Sequence, residues 1–237
     1  MSRPAPSGRT LRIVEVFSSL QGEGLWVGQR HAFVRMAGCN LSCRYCDAPH
    51  AAAADAGSAW SGKRLQDELA RLFSRRPHAA VAWTGGEPLR QARGLPPLLA
   101  WVRRQGVKNL LETNGTMVEA FAALAPLCDL AAVDIKLPSA TGVESWSRHL
   151  EFLRLAPKKC FVKVVLTART TRAEWRQVIR LMQEASPDIP LVLQPATACG
   201  GEEPASAPDV MFFLQQASAL LKDVRIVPQW HTVWRLP

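Results

Sequence analysis

Short apolar runs rich in β-branched residues alternate along the chain with longer segments in which apolar positions recur every three or four residues. The short runs predict strands and the longer segments predict helices, since side chains alternate along a strand and recur along one face of a helix. Strands are predicted at 11–17, 31–36, 79–83, 108–111, 129–133, 160–166, 190–193 and 223–227. The clearest helices are predicted at 64–75, 172–185 and 209–221, and the Ala-rich segment 49–62 is predicted to be a loop. This alternation is typical of an α/β domain with a mostly parallel sheet, either doubly wound or a complete or partial barrel.

Polar or glycine-rich segments follow six of these strands. They are GCNLSCRYCD, TGGEP, ETNG, DIK, QPAT and PQWH, in chain order. In a parallel barrel the carboxyl ends of the strands converge on one mouth, where such folds place their chemistry. A doubly wound dinucleotide-binding sheet needs a glycine-rich turn directly after its first strand, and QGEGLWVG does not match that fingerprint. The pattern therefore favours a barrel in which six loops build a single site.

Composition limits the classes of protein. With 237 residues, 48% of them hydrophobic, we expect a loose tail at 1–10 and one domain at 11–237. No uncharged apolar run of about 18 residues and no signal-peptide pattern occur, so we expect a cytoplasmic protein with no membrane partner. The net charge of +9 is only a weak indicator of nucleic-acid binding, because it suits small carboxylates and phosphates equally well.

Three of the six cysteines crowd into one short loop as Cys39-x3-Cys43-x2-Cys46. A long cytoplasmic chain is not expected to carry a disulfide framework, so this crowding indicates a metal site. Three thiolates can hold three irons of a 4Fe-4S cubane and leave the fourth iron open to a small molecule. The alternative is structural zinc, with His50, four residues after Cys46, as the fourth ligand.

The cysteine loop resembles the radical S-adenosylmethionine (SAM) superfamily, whose hallmark is C-x3-C-x2-C with an aromatic residue before the last cysteine, here Tyr45. TGGEP at 84–88 resembles the motif with which that superfamily binds the SAM amino group. Adjacent glycines permit close backbone approach, and Glu87 adds a charge that orients the turn or meets an ammonium. The resemblance implies that SAM binds the open iron and that an electron from the reduced cluster releases a 5′-deoxyadenosyl radical.

Seven ordered motifs over nearly the whole chain resemble the 7-carboxy-7-deazaguanine synthase family. They are SSLQGEG, FVRMAGCNLSCRYCD, TGGEP, ETNGT, DIKLP, QP at 194–195 and VRIVPQWH. The resemblance implies a ring contraction of 6-carboxy-5,6,7,8-tetrahydropterin to 7-carboxy-7-deazaguanine with release of ammonia, an early step toward nucleosides such as queuosine. It also implies an incomplete, distorted (β/α)6 partial barrel, a homodimer, catalytic use of SAM, and a flavodoxin-type or other one-electron reductant.

The resemblance also assigns roles, position by position. The expected substrate contacts are Leu20, Gln21, Gly22, Glu23, Arg35, Thr84 and Pro237. The expected SAM contacts are Tyr45, Asp47, Gly85, Gly86, Glu87, Asp134, Ile135, Lys136, Gln194, Pro195, Ala196 and Thr197. Catalytic roles are expected for Glu23, Lys136 and His231, and the cluster ligands are Cys39, Cys43 and Cys46.

Side-chain chemistry supports two of these roles, and alternatives stay open for three. A carboxylate such as Glu23 can accept paired N–H donors from a guanidine-like ring edge, although a glycine-rich turn with Glu23 in solvent fits the same letters. Arg35 offers a planar fork for a carboxylate, and the alternative is an outward strand residue paired to an acid. The resemblance places His231 and the chain terminus near substrate, whereas a tail anchored by tryptophan packing is the alternative.

One departure from the family pattern concerns magnesium. The family commonly has Cys-Asp-Thr or Cys-Asp-Ser after the cluster, and that hydroxyl resembles a magnesium ligand, but here the triplet is Cys46-Asp47-Ala48. Alanine has no donor atom, so either magnesium is absent, or substrate and water hold it with Asp47, or Ser42, Asp55 or a neighbouring loop supplies the oxygen. The sequence leaves magnesium open.

Two other classes of protein share part of the pattern. A glycyl-radical activase shares the cysteine motif and TGGEP but has no reason to carry QGEG or Arg35. A zinc-stabilised nucleic-acid-binding module would need aromatic platforms among its basic residues, and clusters such as Arg75 and Arg76 lack them. We therefore expect a small-molecule enzyme with no direct nucleic-acid partner.

Replacing any one of Cys39, Cys43 or Cys46 by alanine should lower the iron content of anaerobically purified protein, because each thiolate holds one iron. Iron counting on single variants measures this. The matched controls are Cys128→Ala, Cys160→Ala and Cys199→Ala, which stand singly in the sequence and should retain full iron. Full iron in Cys43→Ala would contradict the ligand assignment.

Overall fold

One sheet runs through the computed structural model, which describes residues 10–197 and 202–234. In this part of the chain nine strands pair in the order β3-β1-β2-β4-β5-β6-β7-β8-β9. The strands are β1 (Leu11–Leu20), β2 (Arg30–Met36), β3 (Ser58–Trp60), β4 (Ala80–Gly85), β5 (Lys108–Thr113), β6 (Leu130–Asp134), β7 (Cys160–Leu166), β8 (Leu191–Pro195) and β9 (Val224–Ile226). The helices are α1 (Gly62–Arg75), α2 (Pro96–Arg104), α3 (Val118–Leu124), α4 (Pro138–Thr141), α5 (Trp146–Leu155), α6 (Arg172–Ala185), α7 (Ala207–Ser218) and α8 (Trp230–Val233).

Six crossovers connect seven parallel strands. From β2 to β4 and onward to β9 each neighbouring pair is parallel, and each connection carries one or two helices. Within the described residues β3 and β9 are the two edges, so the sheet does not close on itself. The expected α/β class, a mostly parallel sheet in an incomplete, distorted (β/α)6 partial barrel, is confirmed.

The first strand runs against the others. β1 pairs antiparallel with β2 on one side and with β3 on the other. The segment after Leu20 therefore starts at the opposite edge of the sheet from the cysteine loop. β3 lies inside 49–62, where a loop was expected, because pairing with β1 gives its backbone partners that residue composition does not reveal.

Strand ends extend beyond the apolar runs from which they were predicted. β4 continues to Gly85, β5 to Thr113 and β1 to Leu20, in each case through polar residues. Periodicity marks the apolar stretch, whereas the backbone ladder continues as long as a neighbouring strand offers partners. α6 begins and ends where predicted, because Thr171 and Glu174 form a capping box at its first turn.

The two faces of the sheet have different contents. The outer face packs against the helices in the main core, whose largest fully buried side chains include Trp83, Trp175 and Phe121. The inner face carries a smaller apolar cluster with one residue from each of six strands, namely Phe33, Ala82, Leu110, Ala132, Phe161 and Val192. This inner floor is apolar, and its six members come from β2 and β4 to β8 in turn.

Above the floor, the same six strands present polar residues. Two positions further along each strand stand Arg35, Thr84, Glu112, Asp134, Lys163 and Gln194. Because side chains at i and i+2 share a face of a strand, these six residues lie on the inner face nearer its carboxyl edge. The strands thus build an apolar base with a polar ring above it.

The domain division stays a prediction. β1 begins at Leu11, where the folded part was expected to start, and residues 1–9 lie outside the described residues. No described helix is long and apolar enough to cross a membrane.

Candidate active site

A cavity of about 530 Å³ opens at the carboxyl edge of the parallel strands. Its wall includes the inner polar ring, the cysteine loop, the segment after β1 and the first turn of α8. Loops from six strands and the segment after the antiparallel β1 therefore meet in one place. The single site expected from the strand-end motifs has a physical counterpart in this cavity.

The three clustered cysteines line the cavity, and each is half-buried with a free thiol. The loop is held by the neighbouring segment, since the Gly38 and Cys39 amides donate to the carbonyls of Ala51 and Ala52 at 2.8 and 2.9 Å. Arg90 Nη1 also donates to the Cys39 carbonyl at 2.6 Å. The backbone is thus fixed, and the thiols face the cavity.

The three thiols and His50 are not gathered as the ligands of one zinc ion would be. With Zn–S bonds of about 2.3 Å, tetrahedral ligands lie about 3.8 Å apart. In the described part of the chain, the ligand atoms of the three cysteines do not gather within 4.8 Å of one another. His50 is 55% exposed and its Nε2 lies 3.8 Å from Glu15. Wider spacing is what a cubane needs, because each thiolate then binds a different iron.

Gly85 and Gly86 join the sheet to the cysteine loop. A Cβ atom on Gly85, whose φ is 138°, would lie 2.1 Å from the Met36 carbonyl oxygen. A Cβ on Gly86 would lie 2.4 Å from the Gly38 carbonyl oxygen. Both glycines also line the cavity. Their absence of side chains therefore serves contact between two backbone segments, and their expected contact with SAM stays a prediction.

Glu87 is fully buried and is not part of the cavity wall. Its carboxylate accepts hydrogen bonds from the Leu89 and Asn114 amides and from Thr113 Oγ1, at 2.8 to 3.0 Å. Burial raises its pKa to about 7, although these donors favour the charged form. Glu87 thus orients the turn and ties TGGEP to ETNGT, and its expected SAM contact is untested.

The ETNGT segment also supports the cysteine loop. Asn114 Nδ2 donates to Asn40 Oδ1, and Asn40 Nδ2 donates to Thr116 Oγ1, both at 2.8 Å. Asn40 directly follows Cys39, so the loop after β5 holds one end of the cysteine loop. The order of these motifs in the sequence reflects their order around the mouth.

The QGEG segment contacts α8, the last helix of the described residues. The Trp230 amide donates to the Gly22 carbonyl at 3.0 Å, and a Cβ on Gly22 would lie 2.6 Å from His231 Nδ1. Gln21 Nε2 donates to Glu112 Oε1 at 2.8 Å. Gln21 and Gly22 line the cavity with Leu20, as expected for substrate contacts, and those contacts stay predictions.

Glu23 is enclosed in the cavity wall, which differs from the solvent-exposed alternative. Its side chain is 18% exposed, its Oε2 lies 2.5 Å from Lys163 Nζ, and its Oε1 accepts from Gln229 Nε2 at 2.7 Å. Burial alone would raise the pKa of Glu23, but the Lys163 ammonium and the Gln229 hydrogen bond hold it below its usual value. The carboxylate is therefore ionised at neutral pH.

Lys163 continues the network into the opposite wall. Its Nζ lies 3.0 Å from Asp134 Oδ2, which Lys136 Nζ also approaches at 2.8 Å. Burial would raise the pKa of Asp134, but the two ammonium groups lower it. Burial would lower the pKa values of both lysines, but the carboxylates raise them above the ordinary lysine value. Two cations and two anions thus stabilise one another inside the barrel.

Arg35 lines the cavity and is also paired to an acid. Its Nε lies 2.5 Å from Glu15 Oε1, and its guanidinium carbon lies 5.9 Å from the Phe17 ring centroid. Among the described residues its two terminal nitrogens form no hydrogen bond, so one edge of the fork is held and the other is free. Arg35 can therefore pair with Glu15 and bind a carboxylate in the cavity at the same time. Thr84, 8% exposed, lies on the next strand directly opposite Arg35.

The wall beyond Lys136 carries buried polar atoms without partners. Gln194 is 1% exposed, and neither its Nε2 nor its Oε1 has a hydrogen-bond partner among the described residues. Asp134 Oδ1 and the Tyr45 hydroxyl are also buried without a hydrogen-bond partner among the described residues. Such groups are costly when buried unless a ligand or water satisfies them. The wall therefore fits a polar cofactor such as SAM beside the cysteine loop.

The other expected SAM contacts divide into two groups. Asp47, Ala196 and Thr197 line the cavity, and Tyr45 packs beneath Lys136, whose Nζ lies 5.0 Å from its ring centroid. Ile135 and Pro195 do not line it. Their neighbours Asp134, Lys136, Gln194 and Ala196 do, because adjacent strand residues point to opposite faces. The contacts themselves stay predictions.

His231 lines the cavity on α8, with Nδ1 4.0 Å from Glu23 Oε1. Trp230 and Trp234 pack on each other at a centroid distance of 5.7 Å and both are exposed, whereas the Trp230 amide ties the helix to Gly22. The expected contact of Pro237 with substrate falls outside the described residues. The catalytic role of His231 stays a prediction.

The oxygens available for magnesium are few near Ala48. Ala48 is buried and lines the cavity, whereas Asp47 is exposed. Ligand atoms of Asp47, Glu23 and His231 lie within 4.8 Å of one another. Glu23 is already neutralised by Lys163, so Asp47 is the carboxylate best suited to a cation here.

Sequence reasoning gave no role to several cavity residues, among them Glu112, Lys163 and Gln229. A signal existed for the first two: each is a charged residue near the middle or end of an apolar strand, two positions after a floor residue. Burial and the nearby Glu23 raise the pKa of Glu112. Gln229 lies in the PQWH motif, but its amide gives no sequence pattern of its own.

Comparison with known proteins agrees with this arrangement. A family model described as a 4Fe-4S single cluster domain matches residues 20–144. The chain is 34% identical to the 7-carboxy-7-deazaguanine synthase of Geobacter sulfurreducens, with 98% of each chain covered. It is 32% identical to the enzyme of that name from Methanopyrus kandleri, with 97% of this chain and 94% of the relative covered. The crystal structure of QueE from Escherichia coli superposes with a TM-score of 0.65 at 20% identity, covering 93% and 94% of the two chains.

Proposed function

Since the chain belongs to the 7-carboxy-7-deazaguanine synthase family, we propose that its cavity converts 6-carboxy-5,6,7,8-tetrahydropterin into 7-carboxy-7-deazaguanine with release of ammonia. The observation that carries this proposal is the union, in one cavity, of the C-x3-C-x2-C loop with a buried carboxylate, an arginine fork and a polar ring. The reaction serves 7-deazapurine synthesis. The enzyme is a carbon–nitrogen lyase of the radical SAM type.

The residues present fit a 4Fe-4S cluster and SAM. Three half-buried thiols face the cavity, and Gln194 and Asp134 offer unpartnered buried polar atoms beside them. Cys39, Cys43 and Cys46 would hold the cluster, and the wall from Asp134 to Lys136 and from Gln194 to Thr197 would bind SAM. When bound, the reduced cluster and SAM supply the radical that starts the rearrangement.

The substrate half of the cavity suits a flat, polar pterin. Glu23 is ionised and can accept two N–H donors from the guanidine-like ring edge. The free edge of Arg35 suits the substrate carboxylate, and the rings of Phe33 and Phe161 close the base of the cavity. A cavity with an apolar floor fits a small ring system better than the peptide backbone that a glycyl-radical activase must admit.

The loss of ammonia requires proton transfers, and side chains of the cavity carry these out. Lys136 keeps its proton, because Asp134 raises its pKa well above the ordinary value, so it acts as a cation and donor. Among the described residues that line the cavity, His231 is the only imidazole. His231, beside Glu23, is therefore the group best placed to move a proton during loss of ammonia.

Partners and location are inferred from family resemblance. We infer a homodimer and a flavodoxin-type or other one-electron reductant. The cytoplasmic location stays a prediction. The net charge of +9 favours an acidic electron carrier over a basic one.

The direct test is turnover by anaerobically reconstituted protein supplied with SAM, dithionite and the carboxytetrahydropterin. The expected result is 7-carboxy-7-deazaguanine, identified by mass spectrometry, with one ammonia released per product and SAM regenerated. Cys43→Ala is the matched negative control. Cleavage of SAM without consumption of the pterin would overturn the substrate assignment while leaving the radical SAM assignment intact.

Arg35→Lys should weaken pterin binding by roughly 1.5 to 3 kcal/mol, because lysine cannot form the planar fork that pairs with a carboxylate. Cleavage of SAM by dithionite in the absence of pterin should remain near the wild-type rate. The control is Arg30→Lys at the other end of β2, where the one side-chain hydrogen bond of the arginine to a described residue runs from Nη1 to Ser18 Oγ at 3.3 Å. Equal loss of both activities in Arg35→Lys would assign Arg35 a structural role.

Ala48→Thr should make turnover respond more strongly to magnesium at low concentrations of the ion, because the new hydroxyl adds a ligand oxygen. Water replaces one lost oxygen at modest cost, so the wild type should show a graded response. Turnover against magnesium concentration measures this, with Ala48→Val as the control of equal shape without oxygen. If chelation inactivates the wild type and both proteins share one half-saturation point, another residue supplies the ligand.

A further inference from the structure

Lys163 belongs to the buried ion-pair network of the cavity but has no role in substrate, SAM or metal binding in the account given above. It is the only charged residue of β7, and its side chain is 14% exposed inside the barrel. Its Nζ contacts Glu23 Oε2 at 2.5 Å and Asp134 Oδ2 at 3.0 Å. It therefore bridges the carboxylate assigned to the pterin and the carboxylate assigned to SAM.

The two carboxylates depend on Lys163 unequally. Asp134 keeps a second cation, because Lys136 Nζ lies 2.8 Å from the same Oδ2. Among the described residues, the partners of Glu23 besides Lys163 are the neutral amide of Gln229 and the more distant His231. The other acids facing this space, Glu112 and Asp47, repel its charge. Removal of Lys163 would thus leave Glu23 as the uncompensated anion.

The segment that carries Glu23 lies between two strands and is held against β7 by two contacts. Glu23 belongs to a segment that leaves the sheet at Leu20 and returns at Arg30. In that segment Gly24 has a φ of 65°, and a Cβ there would lie 2.5 Å from the Phe161 ring. Phe161 and Lys163 share one face of β7, so the same strand meets this segment once by packing and once by charge. Position and orientation of the Glu23 side chain are set by both contacts.

We propose that Lys163 is a positioning residue for the substrate: its ammonium holds Glu23 beside Asp134 and so fixes the pterin-reading carboxylate at a set distance from the SAM-binding wall. The proposal rests on the proposed function of the cavity. Lys163 acts through Glu23 and does not itself touch the reacting atoms. The radical that bound SAM would supply must meet one substrate carbon, so this distance bears on the reaction directly.

The test compares Lys163→Met, Glu23→Gln and the double variant in the reconstituted holoenzyme. Lys163→Met should raise the KM for the carboxytetrahydropterin at least about tenfold, the scale of a lost charge-assisted hydrogen bond. The Kd for SAM should change less than about threefold, since Asp134 keeps Lys136. Because Lys163 acts through Glu23, the double variant should bind the pterin no more weakly than Glu23→Gln alone.

Two further variants separate positioning from loss of folding. Lys163→Arg keeps the charge and should recover most of the pterin affinity. Lys159→Met is the matched control, because Lys159 lies just before β7 and its Nζ donates to the Ala125 and Cys128 carbonyls outside the cavity. It should leave the pterin KM unchanged. If Lys163→Met does not fold, Lys163→Gln, which keeps one donor, replaces it in the cycle.

The proposal is overturned if the pterin KM of Lys163→Met lies within twofold of the wild-type value. It is also overturned if the loss of pterin binding in the double variant equals the product of the losses in the two single variants. A second readout needs no substrate: the infrared difference between wild type and Glu23→Gln isolates the Glu23 carboxyl band. That band should be an ion-paired carboxylate in the wild type and should shift in the Lys163→Met background. If the band does not change, Lys163 does not position Glu23, whatever the activity of the wild type. If the wild type fails to convert the pterin but the band shifts, only the proposed function is overturned.

Discussion

Two ammonium groups and two carboxylates are buried together inside the barrel, and none of the four would be stable there as a lone charge. Lys136, Asp134, Lys163 and Glu23 alternate in sign along one chain of contacts. Their positions on two neighbouring strands and one returning segment follow from the register of the sheet, in which Asp134 lies opposite Lys163. The charged wall is therefore a consequence of strand pairing, and the polar chemistry of the cavity depends on it.

The cysteine loop depends on a different constraint, close contact between backbones. Gly85 and Gly86 bring β4 against Met36 and Gly38 so closely that any side chain would collide. Glu87 then fastens the same turn to the loop after β5 through buried hydrogen bonds. Three motifs that are far apart in sequence thus form one rigid rim.

The sequence predicted the fold class and about half of the residues of the cavity wall, because period-two alternation and strand-end motifs are local signals. It did not predict β3, whose pairing with β1 is a tertiary fact, nor the antiparallel direction of β1. Lys163 was overlooked because a single lysine in CFVKVVL looks like an interruption of an apolar strand, and its partner Glu23 is 140 residues away. Glu87 was expected to orient its turn or to meet an ammonium, and the Thr113 hydroxyl and Asn114 amide that it accepts from are brought to it only in the folded chain.

The contact between the QGEG segment and α8 joins residues that are among the most distant in the chain, since Glu23 and Gln229 are 206 positions apart. Contacts between residues so far apart in sequence form late in folding. Closing the intervening chain costs entropy, and contacts formed earlier must offset that cost. We expect the cysteine rim, built from residues 36 to 116, to assemble before the Glu23 side of the cavity. On a ribosome the order would be the same, so a nascent chain would have its cluster loop shaped while its substrate side was still open.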